Sequence, residues 1–130
     1  MTLQIEARKS ADAIVNLLRS SSEILRPELG ETTSYIVFAD SRYQVGLITP
    51  TRDVENSTRL KKDLYKIYSY VKTSGVSSSK NEKILATSIS RSAFTLLAPN
   101  VVQINIIVSN EKGEYQLLTE VGLMNFGANE

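Results

Sequence analysis

The sequence predicts an α+β domain in which one antiparallel sheet of about five or six strands packs with two amphipathic helices, in the order α-β-β-α-β-β-β. Three observations carry that expectation. Apolar residues recur at helical spacing near the N-terminus and again after Pro50, β-branched runs alternate in polarity elsewhere, and turn-forming residues separate those runs. At 130 residues and 14.4 kDa the chain fits a single domain over residues 1–130.

Helix one is expected from Leu3 to about Leu25, with Ala7, Ala11, Ile14, Leu18 and Leu25 on one stripe and Pro27 with Gly30 ending it. Tyr35-Ile36-Val37-Phe38-Ala39 is a β-forming run. Asp40-Ser41-Arg42 then supplies turn chemistry, and Tyr43, Val45, Leu47 and Thr49 alternate up to Pro50, so a hairpin follows. Gly46, inside the second strand, marks a bulge or a close contact.

From Asp53 to Ser74 the residues Leu60, Leu64, Ile67 and Val71 fall at i, i+4, i+7 and i+11, which predicts helix two, capped by Asp53, Asn56 or Ser57 and stopped by Gly75. Residues 75–82 read as a surface loop. Three strands are expected next, Ile84 to Ser90, Ala93 to Ala98 and Val101 to Ser109, the last burying Val102, Ile104, Ile106 and Val108 on one face. Asn110-Glu111-Lys112-Gly113 is a hairpin turn. Glu114 to Val121 is either a sixth strand or a short helix through Leu117, Val121 and Met124, and residues 122–130 read as a flexible tail.

Functionally, the absence of His and Cys removes disulfides, thiol or imidazole catalysis, and the usual zinc and haem ligand sets. No phosphate-cradling glycine motif occurs, and no cofactor or metal is implied. The apolar runs are far shorter than the ~20 residues of a membrane helix, and the N-terminus lacks a signal-peptide pattern, which together point to a cytoplasmic protein without a membrane span. Asn56-Ser57-Thr58 matches a glycosylation sequon but reads better as a helix start.

The net charge of +1 conceals a basic middle: residues 51–91 carry nine basic and four acidic side chains, while residues 92–130 carry one and four. Arg59, Lys61, Lys62, Lys66 and Lys72, with Lys80, Lys83 and Arg91 and interleaved Tyr65, Tyr68 and Tyr70, form a candidate nucleic-acid surface. The competing reading is a solvated helix face, which Asp63 in its middle favours. Two carboxylate pairs, Asp53 with Glu55 and Glu111 with Glu114, and the Ser77-Ser78-Ser79-Lys80 stretch are better explained by caps, turns and a serine-rich loop than by catalysis.

The order of elements, Tyr35 to Arg42 leading into Val45-Gly46-Leu47-Ile48, the helix after Pro50 and the paired strands of Ser92 to Val108 resemble the roadblock family of dynein light chains, and more loosely longin and profilin-like domains. That resemblance covers about residues 3–110 and implies a non-enzymatic scaffold that pairs through its sheet edge or helices and serves a small GTPase or motor complex. The residues themselves point the same way. Val101, Gln103, Asn105 and Ile107 give one strand face a mixed polarity suited to an interface, so the leading expectation is a protein-interaction or scaffold subunit of a homo- or hetero-oligomer. The alternative is a nucleic-acid-binding accessory protein, viral or from a mobile element, using residues 52–91.

Overall fold

A computed structural model describes residues 2–39, 45–72 and 80–124. The chain is α+β, with one antiparallel sheet of eight strands and two helices. In order these are α1 (Leu3–Arg19), β1 (Glu23–Arg26), β2 (Thr32–Thr33), β3 (Ile36–Ala39), β4 (Val45–Arg52), α2 (Val54–Leu60), β5 (Tyr65–Lys72), β6 (Lys80–Ala98), β7 (Val101–Asn110) and β8 (Gly113–Gly122). The sheet runs β1-β3-β4-β5-β6-β7-β8, and β2 adds to β6 through Thr32 and Thr33 opposite Thr95 and Phe94.

The core is the interface between α1 and the inner face of the sheet. Thr2 caps α1 by accepting from the Ile5 amide, and Ala7, Ala11, Ile14 and Leu18 are buried along one stripe against β6, β7 and β8. Two alanines in that stripe let the helix approach closely. Opposite them lie Phe94, Val102, Ile104, Ile106 and Val108, all fully buried, each such side chain stabilising the fold by about 1.5–3 kcal/mol.

Helix one is shorter than the sequence suggests. It stops at Arg19, because Ser21 and Ser22 turn inward: the Ser21 hydroxyl donates to the Leu18 carbonyl at 2.6 Å and that of Ser22 to the Ala39 carbonyl at 3.1 Å. Competition between short hydroxyl side chains and the helical hydrogen bonds breaks helices in this way. Ile24 and its neighbours, expected as the helix's last turn, instead form β1 against β3. With the two-residue β2, this raises the strand count from the expected five or six to eight.

The largest correction concerns helix two, expected over residues 53–74. Only Val54–Leu60 is helical; Lys61 adopts a left-handed cap at φ 54°, and from Tyr65 the chain is β5, paired with β4 over seven residues. Ile67 fits both a helical and a two-residue period, but the stretch Tyr65-Lys66-Ile67-Tyr68-Ser69-Tyr70 is aromatic and β-branched, and pairing with β4 buries Ile67 and Ser69 together on the inner face. Pairing in the sheet outweighed the helical spacing.

The two strands expected at 84–90 and 93–98 are one 19-residue strand, β6, and Ser90-Arg91-Ser92 is not a turn. The register shifts between Ile89 and Arg91, and Ser88 sits at φ 61°, so the strand bends through a bulge while staying paired. Its first half pairs with β5 and its second with β7. Residues 114–121 belong to strand β8, which excludes the short helix, and Gly122, placed in the tail by the sequence, ends that strand. The predicted turn at 110–113 forms, with Asn110 Oδ1 accepting from the Lys112 amide at 2.7 Å and Gly113 at φ 146°. The expected turn at 40–42, residues 75–79 of the expected loop and residues 125–130 of the expected tail lie outside the described residues, while residues 80–82, expected in that loop, open strand β6.

Candidate functional site

The basic candidates, expected along one helix, are dispersed over α2, the following loop and two strands. Asp53 builds the start of α2, accepting from the Asn56 amide at 3.3 Å, and Ser57 closes its end: its hydroxyl donates to the Leu64 carbonyl at 3.1 Å and accepts from the Leu64 amide at 2.9 Å. This double contact folds the loop of residues 61–64 back on the helix. Arg59 and Lys62 are thereby carried to the β7–β8 turn, and Lys66 is carried on β5 to the helix start.

There the cations meet acids. The Arg59 guanidinium lies 3.7 Å from Glu111, Lys62 Nζ donates to Glu114 at 2.6 Å, Lys66 Nζ lies 3.8 Å from the buried Asp53 carboxylate, and Arg52 pairs with Asp63 at 3.1 Å. Hydrogen bonding and charge from Lys62 hold the Glu114 carboxyl below the usual glutamate range. Lys61 is exposed without an ion pair among the described residues, and Lys72 closes β5 opposite Lys80. Tyr68 and Tyr70 remain on one face of β5 with ring centroids 6.1 Å apart.

Three of the four carboxylates singled out in the sequence have structural partners. Asp53 is the cap of α2, and Glu111 and Glu114 are held by Arg59 and Lys62. Among the described residues no three His, Cys, Asp or Glu side chains gather closely enough to hold a metal, and no helix is long and apolar enough to cross a membrane. Ser77, Ser78 and Ser79 lie outside the described residues. A shallow pocket of about 270 Å³ opens between α2 and the β7–β8 turn, lined by Arg59, Ser88, Ser109 and Lys112 among others. Among the described residues the Ser109 hydroxyl, buried there, has no hydrogen-bond partner.

The face of β7 opposite α1 is different. Val101, Gln103, Asn105 and Ile107 all lie on it, half-buried between the side chains of the flanking strands. Strand β6 contributes Arg91, Ala93 and Thr95, opposite Ile107, Asn105 and Gln103; strand β8 contributes Gln116, Leu118 and Glu120, opposite the same three residues. Leu118 is 57% exposed, and Leu97, at the end of β6, is 45% exposed. Gln116 Nε2 donates to Asn105 Oδ1 at 3.0 Å, which fixes the amide at the centre of the face. Sequence reasoning missed Leu118 and Glu120, although the alternation of Gln116, Leu118 and Glu120 with Tyr115, Leu117 and Val121 places them on this side once β8 is known to be a strand.

No protein-family model, curated protein or solved structure matches the chain.

Proposed function

We propose that the chain is a non-enzymatic interaction module, a subunit of an oligomeric complex that docks through the face of β6, β7 and β8 turned away from α1. The observation that carries this reading is the row Val101, Gln103, Asn105 and Ile107, half-buried on the side of β7 turned away from α1, with the exposed Leu118 beside it on three paired strands. Partly buried apolar residues interleaved with amides suit a protein surface that exchanges water for a partner. A roadblock-like subunit serving a small GTPase would be one form of this role. The nucleic-acid reading of residues 52–91 is less favoured, since Arg52, Arg59, Lys62 and Lys66 each face a carboxylate that would compete with phosphate.

The test combines sedimentation of the full chain with binding to labelled single-stranded DNA and RNA at low salt. Association with a protein partner or with itself, lost in Leu118→Lys while circular dichroism is unchanged, supports the module. Salt-sensitive nucleic-acid binding that reversal of Lys61 and Lys62 abolishes, with no effect of Leu118→Lys on any association, overturns it.

A further inference from the structure

We infer that the occupant of the β7 face is a second copy of this chain, crossed over the first so that Arg91 of each copy meets Glu120 of the other. The inference rests on the reading of that face as a docking surface and adds the partner. Arg91 stands opposite Ile107 and Glu120 opposite Gln103, on strands that flank β7 from either side. With strands about 4.8 Å apart and a rise of about 3.4 Å per residue, the two charges lie at opposite corners of the face, roughly 16 Å from each other. They are too distant to pair within one molecule. Both are exposed, and neither has an ion pair among the described residues, whereas Arg52, Arg59, Lys62 and Lys66 do.

A two-fold contact requires each group and its complement to be exchanged by one axis. An axis lying over Asn105 at right angles to the Arg91–Glu120 diagonal does this: it sets two intermolecular ion pairs at the corners and lays Leu118 of each copy near Ile107 and Asn105 of the other. The strands then cross at roughly 70°, nearer the orthogonal than the aligned arrangement of packed sheets. Three strands and four or five residues along each give a plate of roughly 250 Å² per copy, well below the ~800 Å² per partner of standard specific interfaces, so the dimer is expected to be weak, with a Kd of about 100 μM.

Charge exchange tests this arrangement in the full chain. Sedimentation velocity at increasing concentration should show a reversible dimer; Arg91→Glu and Glu120→Arg should each weaken it at least about tenfold, and the double exchange should restore it to within about threefold of the parent. Both side chains are exposed, and circular dichroism confirms that the variants fold. A chain that stays monomeric at several hundred micromolar, or a double exchange no better than the singles, overturns the inference. Association with a different protein that Leu118→Lys abolishes and the double exchange leaves intact also overturns it, while leaving the docking reading in place.

Discussion

Replacing Gly46 by alanine should destabilise the fold more than a single methyl group normally would. Gly46 pairs with Phe38 across β3 and β4, and both face the core, where Phe38 is 3% exposed. A Cβ built at Gly46 overlaps Phe38 Cζ and falls 2.7 and 2.8 Å from Cε2 and Cε1, separations that real Cβ atoms do not tolerate. The ring cannot simply rotate away, because Ile36 and Ile48, both fully buried, belong to the same core cluster. Overpacking of a filled core costs about 1–3 kcal/mol, and contact with a ring that is itself enclosed places Gly46→Ala toward the upper part of that range. For a chain of this size the fall in Tm is then roughly 10 °C, read by circular dichroism and checked by urea unfolding. The decisive measurement is the double-mutant cycle with Phe38→Leu. The smaller side chain makes room, so the two substitutions together should cost at least about 1 kcal/mol less than their sum. A neutral Gly46→Ala, or strictly additive costs, would refute the reasoning.

Two further outcomes follow from the pocket beside α2. Ser109→Ala removes a buried hydroxyl that has no hydrogen-bond partner among the described residues, so stability should be unchanged or rise by up to about 1 kcal/mol in urea unfolding, whereas a loss of that size would mean the hydroxyl is satisfied in solution. The Glu114 carboxyl is held low by Lys62, so it should titrate below the ordinary glutamate value in side-chain NMR, and Lys62→Met should remove most of the difference. Because its folded value is depressed, its contribution is present above the unfolded value near ~4.3 and disappears as pH falls through the lower folded value. In Lys62→Met the acid limb of the stability curve should therefore flatten slightly.

Residues with one dominant physical demand were legible in the sequence. The stripe Ala7, Ala11, Ile14 and Leu18 reads as the buried side of a helix, Val102, Ile104, Ile106 and Val108 at two-residue spacing read as a strand with one face in the core, and Gly46 in a β run indicated a bulge or a close contact, of which Phe38 supplies the contact. The α+β class, the α1 helix, the β3–β4 pairing and the turn at 110–113 follow from such local signals. The candidate β7 face was visible for the same reason, since committing Val102, Ile104, Ile106 and Val108 inward leaves Val101, Gln103, Asn105 and Ile107 outward.

Where one stretch satisfied two periods, the sequence alone did not choose. Leu60, Leu64, Ile67 and Val71 fit a helix as well as they fit a helical turn followed by a strand, and the open edge of β4, which pairs with β5 from Gly46 to Arg52, decided for the strand. The break after Arg19 depended likewise on a carbonyl seventeen residues away, that of Ala39, waiting for the Ser22 hydroxyl. The same holds for function-bearing groups. A basic run in sequence became ion pairs only because folding brought Glu111 and Glu114 against α2, and Leu118 and Glu120 joined Arg91 on one face only because β8 pairs with β7 in that register. Local periodicity is encoded within a few residues, whereas hydrogen-bond partners, charge neighbours and exposed faces are set by contacts between segments far apart in the chain.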